Sequence, residues 1–156
     1  MQLTRYTDYS VRVLMYLGLQ PDRLVTISEM AGLYEISRNH LVKVVHNLSR
    51  TGYIKTVRGK GGGMRLGRPA TDINIGELVR RTENDVEIIN CAALECRLQS
   101  ACGLRTALDR ARDAFVEVLD GYTLADLIVD RAALAPLFDI PADATAASPP
   151  RRRAAS

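Results

Sequence analysis

The stretch "SRNHLVKVVHNLSRTGYIKTVRGKGGGMRLG", residues 37–67, changes its periodicity once, and that change decides the fold. Leu41, Val44, Val45 and Leu48 recur at i, i+3, i+4 and i+7, the stripe that an amphipathic helix buries. Ser37 suits the N-cap, and Gly52 sits where a left-handed residue closes a helix. From Tyr53 to Val57 the residues favour strands, Gly59 to Gly63 favour a turn, and Met64 to Leu66 read as a return strand. The spacing therefore predicts a helix over 37–51 followed by a hairpin. The polar face of that helix carries Asn39, Lys43, His46, Asn47 and Arg50, with Ser37, Arg38 and His40 at its start. It holds donors and amides but no carboxylate, whereas solvated helices usually mix both charge signs. Such a face suits phosphates and base edges. The hairpin adds Arg58, Lys60 and Arg65. Its glycines do not make a nucleotide-binding P-loop, because Lys60 precedes Gly61 and a strand follows instead of a helix.

Upstream, "RYTDYSVRVLMYLGL" (5–19) reads as a first helix, and Thr26 with Glu29 forms a capping box that starts a short helix at Ile27. Gly32 is expected to loosen that helix. Three helices and a basic hairpin in this order make a winged helix-turn-helix: a mainly α fold with a small β wing, occupying residues 1–82. Helix 37–51 would enter the major groove of double-stranded DNA, and the wing would lie along the backbone or minor groove. Charge agrees with this. Residues 1–70 hold 11 Lys/Arg against 4 Asp/Glu, and residues 71–148 hold 7 against 14, although the chain as a whole is only +3. A basic half on an acidic remainder is the footprint of a polyanion partner.

Downstream, "DINIGELVRRTEN" reads as a strand entry and a helix with Asn74 as a candidate cap. Residues 83–130 hold a cysteine loop and a long helix over 103–120. In it Leu104, Leu108, Ala111, Phe115 and Val118 step by 4, 3, 4 and 3, a heptad seam. Packing within its own subunit is one use of that seam and pairing with a second copy is the other; we favour pairing, because the rest of the chain offers little surface to cover the seam and symmetric operators need dimers. Thr123 and Asp126 could cap a last short helix. Residues 131–156 form a C-terminal tail, expected to be disordered from Pro141 on, with Arg151, Arg152 and Arg153 near its end. Hydrophobic residues make up 47% of the chain, enough for a core. There is no apolar run of membrane-spanning length and no basic-then-apolar leader, so we expect a cytoplasmic protein without a membrane partner. No cluster of His and Asp with Ser or Cys points to catalysis.

All three cysteines, Cys91, Cys96 and Cys102, lie within "NCAALECRLQSAC" (90–102), spaced C-x4-C-x5-C. An odd, tightly clustered count is not a secreted disulfide framework. Three thiolates are soft ligands that favour zinc, copper(I) or an iron–sulfur cluster. Structural zinc sites prefer closer pairs, and the only histidines, His40 and His46, belong to the basic helix. Wider spacing suits a cluster, whose ligands need not converge on one atom. From the residues alone a zinc or thiol redox switch stays open, as does an iron-status sensor. An electron-transfer protein of ferredoxin type would need four ligands in tighter runs and has no use for a basic wing.

Three stretches carry a family resemblance: "MQLTRYTDYSVRVLMYL", "TISEMAGLYEISRNHLVKVVHNLSRTGYIKTVRGKGGGMRLGRPATDINIGELVR" and "CAALECRLQSACGLRTAL". Together they cover nearly all of residues 1–129. The chain resembles the nitric-oxide-sensing iron–sulfur repressors of the NsrR type, in the winged-helix superfamily that also holds IscR. The resemblance implies a homodimeric repressor of nitric-oxide stress genes that lets go of its operator when nitric oxide attacks the cluster. It implies that Cys91, Cys96 and Cys102 bind that cluster, [4Fe-4S] or [2Fe-2S], and that Asp8 supplies the fourth ligand from the other subunit. IscR-type members use a histidine after the third cysteine, and residues 103–130 contain none.

Overall fold

The computed structural model describes residues 2–83, 88–89, 96–98 and 101–140. Helix α1 runs Arg5–Gly18 and begins where the Thr4 hydroxyl accepts the Thr7 N–H at 3.3 Å. Thr26 caps α2, Ile27–Tyr34, by accepting the Glu29 N–H at 3.2 Å. Gly32 does not loosen α2; the helix continues to Tyr34 and stops at Glu35, which is left-handed at φ 52°. Helix α3, Arg38–Arg50, buries Leu41, Val44, Val45 and Leu48, as its periodicity predicts. Ser37 holds the N-cap position, but its hydroxyl makes no capping bond. Its carbonyl instead accepts the N–H groups of His40 (3.0 Å) and Leu41 (3.1 Å). At the other end Gly52 takes φ 78°. This lets its own N–H reach Ser49 O (3.1 Å) and the Tyr53 N–H reach Leu48 O (2.9 Å), a Schellman closure.

That closure aims the chain into β1, Ile54–Val57, which pairs antiparallel with β2, Gly63–Leu66, in the register Ile54 with Leu66 and Lys55 with Arg65. Val25 exchanges two backbone hydrogen bonds with Met64, 3.0 and 2.8 Å, and so ties the wing to the start of α2. The strand entry expected before α4 is a 3-10 turn, Ala70–Asp72, and a single bridging pair, Asn74 with Thr123. Thr123 offers one extended residue before its own helix begins, so the pairing cannot extend. Helix α4 spans Ile75–Thr82, with the Asn74 side chain accepting the Glu77 N–H at 2.8 Å. Helix α5 spans Gly103–Asp120. The short α6, Leu124–Leu127, opens with a capping box between Thr123 and Asp126.

The C-terminal end of α5 is fastened to the N-terminal end of α4. Arg80 holds Asp120 through two hydrogen bonds (3.0 and 2.6 Å), and the guanidinium draws the Asp120 carboxyl below its ordinary range. The Asn74 amide donates to Asp120 O at 2.7 Å, and the Ile75 N–H donates to Tyr122 O at 2.9 Å. Gly76 is what allows this approach, because a methyl group there would overlap the Asp120 carboxylate. Gly76→Ala is expected to cost about 2 kcal/mol, the usual cost of overpacking, and so to lower Tm by about 4–8 °C. Thermal unfolding followed by circular dichroism measures it. An unchanged Tm would show that the Asp120 side chain swings clear without cost.

One hydrophobic core joins α1, α3, the base of the wing and α4, through Val13, Leu14, Leu17, Leu41, Leu48, Tyr53, Ile54, Leu78 and Leu124, all buried. Residues 131–140, at the start of the expected tail, return to it. Helix α7, Arg131–Leu137, places the Arg131 guanidinium on the carbonyls of Gly18 and Leu19 at the end of α1. Phe138 then packs against Tyr16 and Tyr34, each at 5.9 Å between ring centroids, and burial pushes the Tyr34 phenol up. Residues 141–156, with the three arginines, lie outside the described residues. Among the described residues α5 has none that is buried: Leu104 is 63% exposed and Val118 62%. No helix among them is long and apolar enough to cross a membrane.

Candidate nucleic-acid interface and thiol loop

Burial of the α3 stripe forces the polar residues outward. Ser37, Arg38, Asn39, His40, Lys43, His46 and Arg50 are exposed, and Asn47 is half-buried with its side-chain oxygen accepting from Arg50 at 3.3 Å. On the wing Arg58, Lys60 and Arg65 are exposed as well. Ion pairing separates these cations from the others. Arg12 pairs with Asp8, Arg23 with Glu29, Arg80 with Asp120, and Arg81 with Glu77. Among the described residues, no carboxylate lies within ion-pairing distance of Arg38, Lys43, Arg50, Arg58, Lys60 or Arg65. Arg5, Arg97 and Arg110 also have no ion pair among the described residues, but the largest group of uncompensated cations lies on α3 and the wing, where it costs stability through mutual repulsion unless a polyanion answers it.

Lys55, which the sequence reading passed over, belongs to the same surface. It faces Arg65 directly across the wing and both are exposed. Like charges opposite one another weaken a strand pair. The strand gives no alternation to read, since only Ile54 of its four residues is buried, and Lys55 declares itself only through the register. The start of α1 flanks the recognition helix too. Arg5, Tyr6 and Tyr9 line a groove of about 250 Å³ with His40, Lys43 and Val44, and the Tyr9 ring lies 6.5 Å from the His40 ring.

Of the three thiols, Cys91 lies outside the described residues. Cys96 and Cys102 are both free and half-buried. Cys102 stands at the N-cap of α5, where its side chain makes no capping bond and its sulfur is uncommitted. The loop that carries the thiols springs from the end of α4, and that root is bonded to the start of α1. Thr7 Oγ1 donates to Thr82 Oγ1 at 2.8 Å, and the Thr4 N–H donates to Glu83 at 2.8 Å. Asp8 sits in the same first turn of α1 with its side chain 45% exposed, accepting from Arg12 Nε at 2.9 Å. The bond to Asp8 raises the Arg12 pKa, and the Arg12 guanidinium lies 5.8 Å over the Tyr34 ring. No three His, Cys, Asp or Glu side chains stand together as a metal site among the described residues, so Asp8 does not join Cys96 and Cys102 within one chain. The two described sulfurs, both uncommitted and half-buried, have the soft donor chemistry that an iron–sulfur cluster or a zinc ion takes.

Residues 3–130 match the family described as Rrf2, iron-dependent transcriptional regulator. Among solved structures, that of CymR (YrzC), the global cysteine regulator of B. subtilis, is similar at 24% identity, with 81% of this chain and 95% of that one covered and a TM-score of 0.65. The oxidised form of Staphylococcus aureus CymR is similar at 26% identity, covering 80% and 93%, with a TM-score of 0.65. IscR of T. potens is similar at 24% identity, covering 83% and 88%, with a TM-score of 0.66.

Proposed function

Because the chain belongs to the Rrf2 family of transcriptional regulators, we propose that it is a cytoplasmic homodimeric repressor that binds operator DNA with an iron–sulfur cluster in its thiol loop and releases it on nitric oxide. The observation that carries the DNA reading is the gathering of unpaired cations on α3 and the wing, while the described arginines of α4 and several on α5 pair with carboxylates. Helix α3 reads the major groove and the wing grips the backbone. The exposed seam of α5 pairs with its copy and sets the two α3 helices about 34 Å apart, one turn of DNA.

Cys91, Cys96 and Cys102 hold the cluster, and Asp8 of the partner subunit completes the set. When bound there, the cluster would supply iron able to take up nitric oxide, and Asp8, a harder ligand than thiolate, would hold its iron less tightly than the cysteines hold theirs. Asp8 has two partners to choose between. A carboxylate that held the cluster would have to give up Arg12, with which it pairs in the single chain. The exchange bears on the first turns of α1, whose Thr4 and Thr7 are bonded to the root of the thiol loop. Sensing would thus act on α1, which shares the hydrophobic core with the reading helix α3.

Operator binding by anaerobically purified dimer, measured before and after nitric oxide, tests this; unchanged affinity would reject the sensing. Asp8→Ala is expected to retain iron and sulfide but to change the visible absorption and the rate of reaction with nitric oxide. Identical spectra and kinetics would remove Asp8 from the ligand set. A second reading rests on the free, half-exposed Cys96 and Cys102 and on the likeness to an oxidised CymR. It treats the thiols as a zinc or redox switch, or the protein as a sensor of iron status. Protein lacking iron and labile sulfide whose DNA affinity still follows a thiol oxidant would favour it.

A further inference from the structure

On the exposed face of α3 one side chain cannot hydrogen-bond. Val42 is 45% exposed and lies outside the buried stripe of Leu41, Val44, Val45 and Leu48. Its neighbours one turn away are Arg38 and Asn39 before it and His46 after it, all exposed. Scattered exposed apolar residues are ordinary and need no explanation. This one stands in the middle of a donor surface, in the first half of the helix, where recognition helices meet base edges. A β-branched residue there does not serve the helix, which would be better formed by Lys, Gln or Ala. In the major groove Val42 would leave a base's polar edge unanswered, with one exception: the C5-methyl of thymine is the only apolar group on those edges.

We infer that Val42 is a specificity-determining residue that reads the C5-methyl of a thymine in each operator half-site. The inference rests on α3 being the DNA-reading helix. Around it Arg38, Asn39 and Lys43 are placed for phosphates and polar edges, so the methyl contact adds selectivity for T·A at one position and little to general affinity.

Deoxyuridine provides the test, since it lacks only the methyl and keeps every hydrogen bond of thymine. Operator sequences are first selected from random duplexes with the full-length, cluster-containing dimer. Each conserved thymine is then exchanged for deoxyuridine. One symmetric pair is expected to weaken binding about fourfold per half-site, the effect of one buried methyl group, and about fifteenfold when both half-sites are exchanged. The V42S protein, altered only at a surface position, is expected to bind thymine and deoxyuridine operators equally. Three results overturn the inference: selected operators that require no thymine, uridine exchange that changes wild-type affinity less than twofold everywhere, or a thymine preference that V42S retains. Failure to bind any duplex is a separate outcome, and it would overturn the DNA-reading role of α3 itself.

Discussion

The Cys96→Ala and Cys102→Ala proteins, purified without oxygen, are expected to lose the visible absorption of the cluster together with nearly all bound iron and sulfide. Their operator affinity then falls to that of apoprotein, and nitric oxide no longer changes it. The loss should be complete, because each cysteine is one of only three thiols in the chain. It should also be specific. Neither side chain is in the core, and Cys102 stands at the N-cap of α5 without a capping hydrogen bond from its sulfur, so alanine there breaks no cap. Thermal stability of the apoproteins is expected to change by less than about 0.5 kcal/mol, the range of ordinary surface substitutions. Iron and acid-labile sulfide analysis beside a melting curve decides the matter. Full cluster content in either variant would refute the ligand assignment, and a collapsed melting transition would show that the cysteines pack and do not bind.

Removing the two cations nearest the start of the recognition helix should have the largest effect on DNA. Arg38→Ala with Lys43→Ala is expected to lower operator affinity about a thousandfold, since a dimer loses four charged contacts worth about 1 kcal/mol or more each. The slope of log affinity against log salt concentration should become shallower by about 3 to 4 units if all four contacts are to phosphate. Fluorescence anisotropy across a salt series reads both quantities. Stability should hardly move, because neither side chain has an ion-pair partner to lose among the described residues. An unchanged salt slope would mean that these charges face solvent in the complex. Arg81→Ala and Glu77→Ala, which remove a paired charge on α4, form the control that shifts binding little.

Much of the winged-helix half was legible because its signals are local. The stripe of α3, the glycine that closes it and the β-formers that follow are all short-range patterns, and the structure follows them within a residue. What escaped was set by partners far along the chain. Helix α7 has local support in its alanines and in Asp130, which accepts the Ala133 N–H at 3.0 Å, but Pro136 inside it and its place next to a low-complexity tail outweigh them. It forms because Arg131 and Phe138 find the end of α1 and its aromatic neighbours more than 100 residues away. The Ser37 hydroxyl was expected to cap α3, yet the backbone carbonyl does that work, a choice sequence cannot report. Lys55 went unnoticed because a strand of four residues shows its outward face only once its register is known. Thr7 and Thr82 look like ordinary polar residues until the fold buries them against each other. In the candidate thiol site the cysteines could be read directly, whereas Asp8 entered only through family resemblance, since an aspartate in a first helical turn has an ordinary electrostatic explanation.

The clamp between Arg80 and Asp120 has a mechanical consequence. It fixes one end of an 18-residue helix to the reading head, and the other end, capped by Cys102, is the tip of an arm about 27 Å long. With the pivot at Asp120, a tilt of about 5° moves the tip by about 2 Å, by the same geometry. The amplification also runs in reverse. Under the proposed function, a small push delivered at the tip would act with long leverage on the fulcrum, and modest chemistry far from the DNA would turn both heads of the pair out of step with the grooves.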